Sequence, residues 1–344
     1  MQLPREIIVG DRTLNAIPEI CSKLGFRNSA FIVTGPNAYK IASKAVIDSL
    51  KDAGFKTGYS MVKESSIESV NETTNGIMNF KPSIILGIGG GKNIDIAKLS
   101  SSKLNIPFIS VPTTASHDGI SSPFASIKGL DKPHSIEAQA PVAIVADLEI
   151  ISNSPYRFIA SGCGDIVSKY TAVRDWKLAH RIKNEYYGDY AANLALMSAK
   201  LVLKNAQLIS KKSKEGVRMI VEALISCGVA MSIAGSTRPC SGSEHLFSHA
   251  LDLITQNHAL HGEKCGVGTI MCAYLHNADW KLIRKILKKV QAPTTAEELG
   301  VNAEDVVKAL CIAHKIRPER YTILGESGIT HEAAERLAKE TYVI

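Results

Sequence analysis

The spacing of apolar and polar positions changes near residue 150. Before it, short β-branched runs alternate with stretches in which apolar residues recur every three or four positions. The runs at Ile7–Val9, Ala30–Thr34, Tyr59–Val62, Ser83–Leu86, Pro107–Val111 and Val142–Ala146 predict strands. The intervening periodic stretches predict helices over Leu14–Leu24, Tyr39–Ala53 and Glu68–Asn79, with a further helix after Asp95. Strands and helices in alternation predict an α/β domain over residues 1–150, with a mostly parallel sheet covered on both faces. Ligands of such sheets bind beyond the carboxyl ends of the strands, so the loops after Thr34, Leu86 and Val111 should gather there. The string K-G-L-D-K-P between Phe124 and Gln139 reads as the turn of a small hairpin.

Beyond Leu148 strand-like runs become rare. Helices are expected over Asp165–His180, Tyr190–Ile209, Gly216–Ala234, Ser243–Thr255, Val267–Asn277, Trp280–Val290, Ala303–Lys315 and His331–Tyr342. Thr294 with Glu297 reads as a capping box. Residues 151–344 should therefore form an all-helical domain.

The stretch from Leu86 to Asp95, L-G-I-G-G-G-K-N-I-D, joins a strand to a helix through adjacent glycines. Glycine lets the backbone approach an anion, and the helix N-terminus offers free N–H groups and partial positive charge. Lys92 stands where the third glycine of G-x-G-x-x-G would be, and Leu86 and Asn93 break the Walker A pattern. Two readings remain: a phosphate cradle, or a strand–helix turn with spare glycines.

A length of 344 residues suggests two domains, and 45% apolar with 21% charged residues is ordinary for a soluble globular chain. The formal charge of +7 suits an acidic small substrate or a dinucleotide at least as well as nucleic acid. The basic clusters Lys211-Lys212-Lys214 and Arg284 to Lys289 have apolar residues between their charges and read as solvated helix faces. No nucleic-acid partner is expected. The seven cysteines are scattered, without a C-x-x-C pair, which points to a reducing cytoplasm and away from a cysteine-built metal site. The opening M-Q-L-P-R-E-I-I-V-G has no signal-like apolar core. The most apolar window, Ala223 to Ala234, reads as too short for a bilayer, so no membrane insertion is expected.

Several segments carry groups suited to chemistry. After the strand ending at Val111 comes P-T-T-A-S-H-D-G-I-S-S-P. Thr113, Thr114, Ser116 and Ser122 can hydrogen-bond a nucleotide, and Asp118 can accept from a substrate hydroxyl. A polar loop with an Asx-turn at Asp118 explains the same residues. In G-C-G-D, Asp165 follows a glycine turn and starts a helix, where an N-cap role is the ordinary one. S-E-H-L-F-S-H puts His245 and His249 on one helix face, and H-A-L-H-G-E puts His261 at a glycine turn. Imidazoles and a carboxylate suit a divalent metal such as zinc, and three protein ligands leave an open position for substrate. Core histidines with satisfied hydrogen bonds are the alternative. Glu244 and Glu263 could support the histidines from behind. His134, His180 and His258 show no such pattern.

Taken in order, G-G-G-K-N-I-D, P-T-T-A-S-H-D-G, G-C-G-D, S-E-H-L-F-S-H and H-G-E-K resemble the superfamily of iron-type alcohol dehydrogenases, glycerol dehydrogenases and dehydroquinate synthases. Within it, the set, the opening P-R-E-I-I-V-G and the late R-P-E-R-Y-T-I-L are most similar to the archaeal sn-glycerol-1-phosphate dehydrogenase family. The resemblance covers nearly the whole chain. It implies a dehydroquinate synthase-like fold: an NAD(P)-binding α/β domain, then a helical metal- and substrate-binding domain, with the active site between them. It implies zinc held by Asp165, His245 and His261, with Asp118, His249 and also Asp165 facing substrate. Asp118 and His249 would be the catalytic pair. Gly89, Gly90, Gly91, Lys92, Asn93, Ile94 and Asp95 match dinucleotide contacts, as do Thr113, Thr114, Ala115 and Ser116, with Ser122 nearby. The implied reaction is reversible reduction of dihydroxyacetone phosphate to sn-glycerol 1-phosphate for ether phospholipids. T-G-P-N after the second strand places neutral Gly35 and Asn37 where many dehydrogenases carry an acid, so NADH and NADPH should both be accepted. Lys169, about one turn after Asp165, is a candidate for the substrate phosphate. Relatives of this type form dimers or octamers, so a homo-oligomer is expected. Glycerol dehydrogenase, dehydroquinate synthase and a non-catalytic dinucleotide-binding regulator are the competing functions.

Overall fold

The computed structural model describes residues 1–127, 135–255 and 258–344, and the chain separates into two compact units. Unit 1 holds Met1–Ala115, residues 119–127 and Ser135–Pro155; unit 2 holds Ser116–Asp118 and Tyr156–Ile344. The short stretch carrying Asp118 therefore belongs with the helices.

Among the described residues, unit 1 has eight strands: β1 (Glu6–Gly10), β2 (Ser29–Thr34), β3 (Lys56–Met61), β4 (Ile84–Gly89), β5 (Phe108–Pro112), β6 (Phe124–Ser126), β7 (Ser135–Glu137) and β8 (Ala143–Asp147). Six of them form one sheet in the order β1-β8-β5-β4-β2-β3, with every neighbouring pair parallel. Strands β6 and β7 pair antiparallel, as a hairpin requires, while its turn at residues 128–133 and His134 lie outside the described residues. The helices of this unit are α1 (Ile17–Lys23), α2 (Pro36–Ala38), α3 (Lys44–Asp52), α4 (Ile67–Phe80), α5 (Gly91–Leu104) and α6 (Leu148–Ser152).

Side-chain alternation along the strands explains the layers. Ile32, Ile84, Leu86, Ile88, Ile109, Val111 and Val145 form one core with Ile17 and Ile20 of α1 and Val46, Ile47 and Leu50 of α3. The opposite face receives α4 and α5. There a Cβ at Gly87 would lie 2.8 Å from Ala97 Cβ, so α5 rests almost directly on β4. The predicted strand ending at Leu86 continues to Gly89, because paired backbone, rather than side chains, carries its last turn of sequence. The predicted helix Leu14–Leu24 is a 3-10 turn over Thr13–Ala16 followed by α1, which starts where Pro18 fits its first turn.

One buried ion pair ties α5 to the following loop. Lys98, fully buried, donates to Asp95 Oδ1 at 3.0 Å, Gly119 O at 2.8 Å and Phe124 O at 2.6 Å, while Asp95 Oδ2 accepts from Ser126 N at 3.0 Å.

Unit 2 consists of α7 (Tyr156–Lys183), α8 (Asp189–Ser210), α9 (Lys214–Ala234), α10 (Ser243–Ile254), α11 (His261–Leu275), α12 (Trp280–Lys289), α13 (Ala296–Leu299), α14 (Ala303–Ile312) and α15 (His331–Glu340). Two expected starts were too late. Helix α7 begins at Tyr156 rather than Asp165, and α11 at His261 rather than Val267. In both cases glycines read as turns lie inside helices, where they allow backbones to touch. A Cβ on Gly164 would sit 2.2 Å from Gly262 O, and one on Gly262 would sit 1.9 Å from Ser161 O. The expected capping box of Thr294 and Glu297 does not form: Thr295 is the N-cap and accepts from Glu298 N, while Glu298 Oε2 accepts from Thr294 N, the residue before the cap. Helix α9, at 21 residues, is long and apolar enough to cross a membrane, unlike the shorter window read from sequence. Of its apolar window 61% is buried inside the protein, through residues such as Val217, Ile220, Val221 and Leu224. The basic residues Lys285, Lys288 and Lys289 of the α12 region are exposed while Ile283 and Leu287 are buried, the solvated face expected.

Three substitutions test these contacts. Gly262→Ala should lower unfolding free energy by about 3 kcal/mol through overpacking against backbone. Gly266→Ala, whose Cβ would meet Gly164 Cα at 3.4 Å and Leu287 at 3.6 Å as its nearest neighbours, should be neutral or stabilise by up to about 1 kcal/mol. Urea titration of both variants checks the contrast. Lys98→Met, which leaves the buried Asp95 carboxylate without its counter-charge, should cost about 3–5 kcal/mol in the same assay.

Candidate active site

Three loops of unit 1 meet around the start of α5. Thr113 N donates to Gly89 O at 2.9 Å, which ties the end of β5 to the glycine turn. Gly89 has φ +145°, a conformation that side chains rarely adopt, and a Cβ there would lie 2.0 Å from Asn93 Nδ2. A Cβ on Gly90 would meet Thr114 Oγ1 at 3.3 Å, and one on Gly35, after β2, would meet Asn93 Oδ1 at 3.1 Å. Gly90 is the N-cap of α5 and Gly91 its first residue, so the free N–H groups of the helix open onto this concavity. Asn93 Oδ1 and Thr114 Oγ1 are buried without a hydrogen-bond partner. Glycine backbone, a helix N-terminus and the Thr114 hydroxyl, which can donate, fit a dinucleotide pyrophosphate, while Asn93 Oδ1 can accept from a cofactor hydroxyl or amide.

Other residues matched to the cofactor serve the fold with their side chains. Ile94 is fully buried, its Cα 3.3 Å from a Cβ built on Gly87. Asp95 is held by Lys98 and Ser126. Ser122 Oγ donates to Phe124 O at 3.0 Å and accepts from Phe124 N, closing a local turn. Lys92 is exposed and donates to Lys63 O at 2.5 Å. Ala115 is fully buried, and Ser116 O accepts from Ser161 Oγ at 3.0 Å.

In unit 2 the carboxylate and imidazoles converge. Ligand atoms of Asp165, His245, His261 and Cys265 all lie within 4.8 Å of one another. The convergence follows from the glycine contact, since Asp165 is adjacent to Gly164 on α7 and His261 is adjacent to Gly262 on α11. Helix α10 brings His245, and its start is held by Asp175 of α7. Asp175 Oδ2 accepts from Ser243 N at 2.7 Å and from Ser243 Oγ at 2.6 Å. His245 Nδ1 lies 2.8 Å from Glu244 Oε1, which leaves Nε2 facing Asp165 Oδ1 at 3.6 Å. Glu244 is fully buried and also accepts from Thr171 Oγ1 at 2.6 Å and Gly242 N at 2.6 Å. This is the supporting role expected of it. Glu263 does not share that role: it pairs with Arg157 and caps Leu260 N, because its side chain leaves α11 toward α7's first turn.

Lys169 was a candidate for the substrate phosphate, and the structure assigns its charge elsewhere. It is fully buried and donates at 2.8 Å to both Asp118 Oδ2 and Asp165 Oδ1. Burial pushes the ammonium down, but the two carboxylates outweigh it and hold its pKa well above the ordinary lysine value. Burial likewise raises the Asp165 carboxyl, and the charges of Lys169 and His245 with the Lys169 hydrogen bond reverse the shift to a lowered pKa. Asp165 Oδ2 accepts from Asp118 N at 2.9 Å, so Asp118 is anchored at both backbone and side chain.

His249, 6% exposed, stacks 5.8 Å from the His261 ring. Burial, then the charges of His245 and Arg317, hold His249 well below the ordinary imidazole pKa. Burial, then His245 and His249, do the same to His261. Neutral imidazole presents a lone pair, which metal ligation requires. The donor set therefore fits a divalent ion. Sequence reading missed Cys265, although it lies at i+4 from His261, the spacing that singled out His245 and His249. It also missed His117, whose ring lies 6.2 Å from His261.

Comparison with known proteins agrees with both units. The iron-containing alcohol dehydrogenase family model matches residues 8–155. The structure superimposes on glycerol dehydrogenase from Schizosaccharomyces pombe with TM-score 0.82 at 21% identity, covering 99% of this chain and 89% of that one. It also superimposes on the NAD+ complex of sulfoacetaldehyde reductase from Bifidobacterium kashiwanohense, with TM-score 0.77 at 18% identity, covering 99% and 97%. At these identities the likeness shows the fold. Over 344 residues the chain is 53% identical to glycerol-1-phosphate dehydrogenase [NAD(P)+] from Pyrococcus furiosus, covering 100% of this chain and 99% of the relative. The enzyme of the same name from Hyperthermus butylicus is 50% identical over 345 residues, with coverage of 100% and 99%. With full-length identity at that level, and an α/β unit followed by a helical unit, the chain belongs to the glycerol-1-phosphate dehydrogenase family.

Proposed function

We propose that this protein is a zinc-dependent, NAD(P)-dependent dehydrogenase that interconverts dihydroxyacetone phosphate and sn-glycerol 1-phosphate, feeding ether phospholipid synthesis in the cytoplasm. The observation that carries the reading is the convergence of Asp165, His245 and His261 within 4.8 Å in a chain about half identical to enzymes of that name. Asp165, His245 and His261 would hold the ion, and Gly89, Gly90, Gly91, Asn93, Thr113 and Thr114 the dinucleotide. When bound, these groups supply Lewis-acid polarisation of the ketone and the hydride.

The chain's own residues do the rest. Glu244 fixes which nitrogen of His245 faces the ion. Lys169 holds the carboxylates of Asp118 and Asp165 in register. Asp118 orients the substrate by accepting from its hydroxyl. His249, kept neutral by burial, passes a proton between a ring nitrogen and the oxygen that changes between ketone and alcohol, through one water. Neutral Gly35 and Asn37 after β2 leave room for a 2′-phosphate, so both reduced nicotinamides serve. Unit 1 is the dinucleotide domain and unit 2 the metal and substrate domain of a subunit that self-associates.

The deciding assay compares dihydroxyacetone phosphate with dihydroxyacetone, and glycerol 1-phosphate with glycerol, using NADH and NADPH beside metal analysis. A phosphate requirement and about one zinc per subunit are expected; equal turnover of glycerol would make the protein a glycerol dehydrogenase instead. His261→Ala should abolish turnover and weaken zinc binding more than about a hundredfold while circular dichroism stays unchanged. Asp118→Asn should lower kcat/KM for dihydroxyacetone phosphate by about 10²-fold with zinc content retained. An unchanged rate would leave Asp118 a structural role, through Lys169 and Asp165.

A further inference from the structure

One buried donor in the cluster has no part in the scheme above. Cys265 lies one turn after His261 on α11 and is fully buried. Its Sγ is 3.5 Å from His261 Nε2 and 3.9 Å from His261 Nδ1, and it falls inside the same 4.8 Å cluster as Asp165 and His245. Zinc sits about 2.3 Å from sulfur and about 2.0–2.1 Å from imidazole nitrogen, which sets a tetrahedral sulfur–nitrogen edge of about 3.5 Å. The observed separation from Nε2 matches that edge. The sulfur also lies within 4.8 Å of a ligand atom of each of the other three donors, as a shared ion requires.

We propose that Cys265 is a fourth protein donor to the ion, giving a centre of one carboxylate, two imidazoles and one thiolate. The proposal rests on the reading of Asp165, His245 and His261 as a metal centre. On binding, the S–H bond breaks, a sulfur–metal bond forms and the proton passes to solvent. Zinc also accepts five donors, so a substrate oxygen can add without displacing sulfur. A soft thiolate beside two imidazoles makes the site prefer zinc or cobalt over hard cations such as magnesium or calcium. Cys265 is in this sense a metal-selecting residue, which a three-donor site would lack.

Cobalt(II) is the probe. The full chain is stripped of metal with a chelator and reloaded with cobalt(II). The expected spectrum has visible ligand-field bands together with an intense near-ultraviolet thiolate-to-cobalt band. Cys265→Ser should keep the first, lose the second and bind zinc at least about tenfold more weakly. Ligand-field bands with no thiolate band in the unmodified protein would overturn the role of Cys265 and leave the three-donor centre standing. No ligand-field bands at all would overturn both. Should the variant fold poorly, zinc X-ray absorption of the unmodified protein decides: one sulfur at about 2.3 Å supports the proposal, and a shell of nitrogen and oxygen alone overturns it.

Discussion

Two helix backbones touch at Gly164 and Gly262, and the convergence of Asp165, His245 and His261 depends on that contact. Carbonyl oxygens stand where side chains would otherwise be, 2.2 Å and 1.9 Å from the Cβ atoms these residues lack. The contact is made one residue from Asp165 and one residue from His261. Side chains project from a helix at angles set by the backbone, so fixing the two backbones fixes where the carboxylate and the imidazole point. Similar economy appears at Gly268, where a Cβ would lie 3.0 Å from Glu244 O, bringing α10 and His245 against α11. Small residues in this unit set helix separation, and helix separation sets ligand distance.

Backbone contact alone would not hold two carboxylates side by side. Lys169 does so by bridging Asp118 and Asp165. A carboxylate so deeply buried without a partner would become protonated, and a protonated Asp165 is a poor ligand. Asp118 is covalently part of the loop after β5, yet its partners lie on α7. The lysine therefore both preserves the charge of Asp165 and holds Asp118. Unit 1 uses the same device: Lys98 and Asp95 secure the loop through Gly119 and Phe124.

The alternation of strands and helices and the long helical remainder were legible because periodicity is a local property. The convergence of Asp165, His245 and His261 was reached through family resemblance, since their separation along the chain says nothing about distance in space. Glycines misled where they did most. G-C-G and H-G-E look like turns because glycine is common in turns, but here the missing Cβ serves close helix packing, and only the opposing backbone reveals that. Lys169 illustrates the same limit for charge. A lysine near a carboxylate pattern can serve a phosphate or neutralise acids, and the choice depends on burial and on Asp118 arriving from another segment. Asp95 and Ser122 sit in motifs matched to the cofactor, and their side chains bond instead to Lys98, Ser126 and Phe124. Asp175, which organises the start of α10, carried no sequence signal because its partners Ser243, His276 and Ile323 are all distant.

Charge also bears on what the cluster is suited to hold. Asp118, Asp165 and Glu244 place three carboxylates around the imidazoles, and Lys169 is the ammonium bonded among them. Glu244 is satisfied by hydrogen bonds from Thr171 and Gly242 and by its contact with His245, which ease its burial without neutralising it. Burial, and after it the charge of His245, hold His249 and His261 well below the ordinary imidazole pKa, so they add no positive charge. Deeply buried carboxylates such as Asp165 and Glu244 are costly unless cations or hydrogen bonds compensate them. A divalent ion placed among Asp165, His245 and His261 would supply that compensation where the lone pairs converge. The electrostatic requirement of the fold and the Lewis acid needed by the reaction would then be met by the same ion at the same place.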